Sequence, residues 1–285
     1  MDPRHLSESE STSDIAKNHR GSWIIFLALM VAYILAAAWR GASTRTGAPA
    51  LSSSIPGLLA DTSVGLLTFM IPFGIGLLLT RPTKKDFFIE STSNWFINCA
   101  LGMAWSVVLR LAIVLPAAIV AGVVISLNPK DGVRQFAASR PKIENLLDLG
   151  ALADPAYAII CITWLSFVVA GLREELWRAA VIRGVSSLAP NGNPTRGMEW
   201  VGVLLSSVLF GFAHVTQGWL GVLLTGLLGF GLGMIQIIRR SLPEAVLAHG
   251  FFDASTFLLI FLLQQKNLLL RLGITPELMN QIMPR

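Results

Sequence analysis

Hydrophobic residues in this chain fall into long blocks separated by short polar stretches. Residues 1–21, MDPRHLSESESTSDIAKNHRG, are polar, rich in Ser and Glu, and predict a disordered tail. The next block, SWIIFLALMVAYILAAAW, is just long enough to cross a bilayer. Small residues at Ala36–Ala38 would suit a cleaved signal peptide, but the long acidic leader favours an uncleaved span. Further apolar blocks lie at about 64–80, 94–127, 155–172, 198–215, 219–237 and 243–263. The 94–127 block is too long for one upright helix and holds Arg110 near its centre. It predicts either one strongly tilted helix or two short ones, hence seven or eight spans.

The expected fold is therefore all-α, a polytopic transmembrane bundle with an intramembrane polar cavity. A tail (1–21) is followed by N-terminal transmembrane helices and an extramembrane loop (22–154), a core (155–263) and a C-terminal tail (264–285). Pro155 and Pro243 stand where helices should start, where a missing N–H does least harm. The segment GLLGFGLGM places Gly229 and Gly233 four apart, a pattern that lets helices approach closely.

Composition strengthens this picture. Hydrophobic residues make up 53% of the chain and charged residues 14%, against about 25% charged in soluble domains. The net charge of +5 is scattered through the loops between apolar blocks, which reads as topology signal and excludes a nucleic-acid partner. The basic residues favour one face only modestly, so they set no firm orientation. Cys99 and Cys161 lie in apolar blocks without a CxxC or Cys/His partner, which fits small core residues.

Three polar sites break the apolar pattern. VVAGLREELWRAAVIRGV carries Glu174 and Glu175 with Arg173, Arg178 and Arg183. SSVLFGFAHVTQG carries Phe210 and His214, and LPEAVLAHGFFDAST carries His249 and Asp253. A charge at mid-membrane costs at least about 2.5–3.5 kcal/mol, so such groups line cavities or pair. Positions four apart share a helix face, which aligns Phe210 with His214 and His249 with Asp253. Adjacent residues diverge by about 100°, so Glu174 and Glu175 cannot both face one site. Arg178 lies within helical reach of either.

These residues resemble the CPBP intramembrane proteases, a family that includes type II CAAX prenyl endopeptidases and Abi-type bacterial homologues. The family pattern is EExxxR, then FxxxH, then HxxxN or HxxxD, each on its own helix. Glu174-Glu175, Phe210 with His214, and His249 with Asp253 match it over roughly residues 155–260. The family's arginine would fall at Ala179; the nearest here is Arg178, one step early.

The resemblance implies an endopeptidase acting on a membrane-anchored peptide or protein within the lipid bilayer, with a bacterial inner membrane as the expected location. Glu174 would be the water-activating base, with His214 orienting or deprotonating the same water. His249 would stabilise the oxyanion and Asp253 would orient His249. Glu175 would bind Arg178 or a helix terminus and fix the direction of its neighbour. No cofactor is then required; the alternative is zinc held by Glu174, His214 and His249, although no HExxH is present. Two other classes compete. A proton-coupled carrier would use the same buried groups, and a non-catalytic scaffold or immunity factor would keep the fold without the reaction.

Overall fold

The computed structural model describes residues 3–43, 49–89, 94–189, 195–265 and 270. Among these, seven helices are long and apolar enough to cross a membrane. They are α1 (Pro3–Ser43), α2 (Ile55–Thr80), α3 (Trp95–Leu127), one continuous helix through Pro155–Ser186, α7 (Arg196–Ala213), α8 (Trp219–Arg239) and α9 (Leu242–Gln264). A short α4 (Gly132–Ser139) lies between α3 and the fourth span. That span consists of α5 (Pro155–Ile160), a π-helical stretch (Cys161–Leu172) and α6 (Arg173–Ser186).

Side chains mark where several helices begin. Asn94 accepts from Phe96 N–H, Asp154 from Ala156 and Tyr157, Thr195 from Met198, and Ser241 from Glu244. Each satisfies donors that the helix itself cannot pair. Pro155 and Pro243 occupy first-turn positions, as the sequence predicts. One difference from the sequence reading stands out: the polar residues from Pro3 onward continue α1, because a span already formed extends without a new nucleation cost. Of the two readings of the 94–127 block, the single helix is the one found, with Pro116 inside it. At 33 residues it measures about 50 Å, so it tilts or projects beyond a hydrocarbon core of about 30 Å. Most of the C-terminal tail, 266–285, lies outside the described residues apart from Leu270.

Packing divides into three clusters. Trp23, Phe26, Phe69, Phe73 and Trp177 join α1, α2 and α6. Phe26 meets Phe73 edge-on with ring centroids 5.6 Å apart, and Gly76 leaves the room that the Phe26 ring fills. A second cluster gathers Leu58, Leu147, Leu152, Tyr157 and Cys161 at the end of the bundle beneath the 128–154 loop. The third packs α3, α8 and α9 through Leu109, Leu228, Leu232, Ala245 and Ala248. In its most apolar window α3 buries only 6% of its residues, so its outer face is the lipid face.

The 128–154 loop also holds the connection between α7 and α8. Lys142 N–H donates to the Gln217 carbonyl (3.0 Å) and Asn145 Nδ2 to the Thr216 carbonyl (2.6 Å). Ala50 and Leu51 donate in turn to the carbonyls of Asn145 and Leu146. This layer fastens the turn that follows His214.

Candidate active site

The fourth span reaches the centre of the bundle with an unusual local geometry. Residues 161–172 follow π-helical turns, with Ser166 Oγ bonded to the carbonyl five residues back. Such wide turns occur often at functional sites. Gly171 brings this stretch against α9, where an added Cβ would lie 2.8 Å from the Val246 carbonyl oxygen. The carboxylate pair follows directly, so the close approach sets Glu174 and Glu175 beside His249.

The two glutamates diverge as adjacent helical positions must. Glu175 is fully buried, whereas the Glu174 side chain keeps 18% of its surface. Glu175 is the hub of a buried network. Its Oε1 accepts from Arg178 Nη1 and lies 2.9 Å from His249 Nδ1. Gln236 Nε2 donates to Oε2 (2.8 Å) and to the Glu175 backbone carbonyl (3.1 Å). An ionised carboxylate only accepts, so the imidazole proton of His249 sits on Nδ1. Nε2 of His249 is left facing Glu174 Oε2 at 3.8 Å and Asp253 Oδ2 at 3.7 Å.

Arg178 reaches Glu175 from one step before the family position. Its guanidinium lies over the Phe210 ring at 4.7 Å, a favourable stack for its remaining charge. Its Nε and Nη2 are buried without a hydrogen-bond partner among the described residues. Gly229 and Gly233 clear the space this side chain occupies. A Cβ at Gly229 would stand 3.2 Å from Arg178 Nη2, and one at Gly233 3.5 Å from its Cδ. The small-residue pattern read as a close helix contact thus also houses a buried cation.

His214 terminates α7 rather than lying inside it, and the chain then turns through Val215–Gln217 to Gly218 at φ 84°. That positive φ suits glycine. His214 Nδ1 is 2.8 Å from the Phe210 carbonyl and its ring packs edge-on to Phe210 at 4.7 Å. Because the carbonyl accepts, Nδ1 carries the proton and Nε2 keeps its lone pair. Phe210 also meets the His249 ring at 6.0 Å, so one aromatic side chain spaces both imidazoles.

Of the residues expected to carry chemistry, Glu174, Glu175, Arg178, Phe210, His249 and Asp253 are therefore linked contact by contact, with His214 joined through Phe210. The expected orienting contact from Asp253 to His249 is beyond hydrogen-bond length at 3.7 Å, and Glu175 makes that bond instead. Among the described residues no group of three His, Cys, Asp or Glu side chains is placed to hold a metal ion, and Glu174, His214 and His249 form no ligand set as they stand. Two participants carried no motif. Gln236 is a single amide in the apolar run GMIQII, and its isolation there was the available signal. Arg173 binds Glu174 Oε1 through Nη2 at 2.5 Å, backed by α2 at Gly65.

Residues 156–255 match the family model described as type II CAAX prenyl endopeptidase Rce1-like. Comparison with curated proteins and with solved structures gives no match.

Proposed function

We propose that this chain, an integral membrane protein whose residues 156–255 match the Rce1-like family model, is a CPBP-type, metal-independent endopeptidase that cuts membrane-anchored peptides with a water activated by Glu174. The observation that carries this reading is the division of labour between adjacent carboxylates. Glu175 is sealed and saturated with donors, while Glu174 keeps accessible surface beside His249 Nε2.

The chemistry follows from the placement. A water between Glu174 and the scissile carbonyl gives its proton to the Glu174 carboxylate as its oxygen attacks the carbonyl carbon. His214, with Nε2 unprotonated, accepts the water's second hydrogen and fixes its orientation. The carbonyl π pair moves to oxygen. His249, neutral at rest, takes a second proton from bulk water before attack and returns it after turnover; in that form it donates Nε2–H to the oxyanion while Glu175 holds its Nδ1–H. Collapse expels the amide nitrogen, which takes the proton from Glu174. The products are an amine and a carboxylic acid. Arg173 keeps the Glu174 side chain aligned throughout by holding its other oxygen.

The test uses purified protein in proteoliposomes with membrane-tethered peptides. Wild type releases the peptide head, and Glu174→Ala protein retains its fold but loses release by 10³-fold or more, on the order expected for removal of a general base. Equal release by both proteins would falsify the assignment. Activity that is lost on chelation and restored stoichiometrically by zinc would replace the metal-independent route.

A further inference from the structure

A peptide drawn into hydrocarbon must have its backbone N–H and C=O groups met by protein, since no water is there to meet them. The groups that meet them must be uncommitted. Around this site most are taken: Glu175 by Arg178, Gln236 and His249, Glu174 Oε1 by Arg173, and His214 Nδ1 by a carbonyl. Apart from the water-activating carboxylate and the sealed Arg178, two charged groups keep hydrogen-bonding capacity open to their surroundings.

One is Asp253. Its carboxylate makes no hydrogen bond to the described residues. Its nearest recorded polar contact is His249 Nε2 at 3.7 Å, and its side chain keeps 27% of its surface. The other is Arg110 on α3, about 22 Å along the helix from Trp95. One of its nitrogens does all the fastening. Nη2 donates to the Phe252 carbonyl (2.5 Å), Ser255 Oγ (2.8 Å) and Thr256 Oγ1 (3.0 Å), while the guanidinium stacks on Phe252 at 4.3 Å. Nε and Nη1 make no hydrogen bond to the described residues, and neither is sealed from its surroundings. The clasp therefore uses the two N–H groups of Nη2 and leaves the other three guanidinium donors uncommitted. A residue kept only to join α3 to α9 would not need the charged remainder at such a depth, where it costs about 2.5–3.5 kcal/mol or more.

Arg110 clasps the turn of α9 that carries Asp253, through Phe252 before it and Ser255 and Thr256 after it, without a hydrogen bond to the Asp253 carboxylate. A donor and an acceptor with spare capacity thus meet on one turn of α9. In an extended peptide the N–H and C=O of one residue point the same way, which is the complement of such a pair. We propose that Arg110 and Asp253 bind the backbone of the substrate peptide, Arg110 donating from Nε or Nη1 to a carbonyl oxygen and Asp253 accepting an amide N–H. This inference rests on the peptidase reading, and Arg110 lies outside residues 156–255, so α3 contributes to the site.

The experiment measures binding without cleavage. Glu174→Gln protein in nanodiscs is titrated with a pool of random hexapeptides joined to a hexadecyl chain, and compared with the Glu174→Gln/Arg110→Gln and Glu174→Gln/Arg110→Lys proteins. Loss of one charged hydrogen bond predicts affinity about tenfold weaker or more for the Gln variant, with the Lys variant between. Equal affinity for all three, at any level, overturns the proposal. A scan of backbone N-methylation along one retained hexapeptide needs no change at Arg110. One position should weaken binding about tenfold as its N–H to Asp253 is lost, and a flat scan overturns the proposal as well. Hydrolysis by wild type against Glu174→Ala tests the peptidase reading separately, so each can fail alone.

Discussion

Replacing Glu175 by Gln removes one charge from a fully buried ion pair and leaves the other in place. Arg178 and Glu175 both have no exposed side-chain surface. Two of the three guanidinium nitrogens of Arg178 already lack hydrogen-bond partners among the described residues, where Glu175 and the Phe210 face offset its burial. Removing one partner of a buried pair costs about 3–5 kcal/mol, because the remaining charge stays desolvated. At about 2–4 °C per kcal/mol for a large domain, the unfolding midpoint should fall by roughly 10 °C. The Arg140–Glu144 pair serves as the internal comparison. It has similar chemistry at 2.9 Å, but its side chains are 43% and 40% exposed. Exposed pairs contribute well under 1 kcal/mol, so Glu144→Gln should leave the midpoint nearly unchanged.

The assay is thermal unfolding in detergent, followed by the fraction remaining monodisperse. A third protein, Glu175→Gln with Arg178→Met, separates pair loss from damage to packing. Removing both charges should recover a good part of the deficit, as paired apolar replacements of buried ion pairs do. A Glu175→Gln midpoint within about 2 °C of the Glu144→Gln protein would refute the reasoning, since it would mean that the buried charge is solvated by something other than Glu175.

Gly229→Ala should lower both the midpoint and hydrolysis, because the new Cβ would lie 3.0 Å from Phe210 Cδ1 and 3.2 Å from Arg178 Nη2. Gly226→Ala, with its nearest neighbour at 3.5 Å, should leave both unchanged in the same assays. At the membrane surface, burial pushes the Asp86 carboxyl up, but hydrogen bonds from Arg183 and from the Thr83 side chain and backbone outweigh it and hold the group below its ordinary value. A depressed folded-state value contributes stability above the unfolded pKa of about 3.9 and loses it as pH falls through the folded one. Asp86→Asn should therefore flatten the midpoint-versus-pH curve below about pH 4, and an unchanged slope there would count against the Asp86–Arg183 link.

The parts of this architecture that follow from one helix at a time were legible in the sequence. Seven apolar blocks became seven helices because block length and hydropathy alone decide whether a helix spans. The split between Glu174 and Glu175 followed from the 100° step, which no tertiary contact alters. The parts that depend on neighbouring helices were hidden. Nothing in the spacing told that Gln236 on α8 would donate to Glu175, or that Gly233 on the same helix would make room for Arg178. The π-helical stretch has no periodicity of its own in an all-apolar run, so the register in which Arg173 and Glu174 enter the site could not be read. His214 ends its helix because Gly218 turns the chain four residues later, a local signal present in the sequence but outweighed by the long apolar block. Arg110 was visible as an anomaly, and only the packing of α3 on α9 showed what it touches.

These contacts explain why so greasy a chain concentrates charge in one place. Each acidic side chain at the site has a basic companion. Arg173 contacts Glu174 and Arg178 contacts Glu175. Arg110 clasps the turn of α9 that carries Asp253. With both imidazoles neutral the set sums to zero, which is the condition under which so many ionic groups can be kept in a low-dielectric bundle. The number of donors on each carboxylate and the surface it keeps then sort the three by what they can do. Glu175 is sealed with three donors and can only hold His249. Glu174 has one oxygen held and the other turned toward His249 Nε2. Asp253 has neither oxygen hydrogen-bonded and retains the most surface of the three. A graded series of this kind supplies a sealed support, a half-held carboxylate suited to the proposed base and an open acceptor from one residue chemistry, through the number of donors each meets and the surface each keeps.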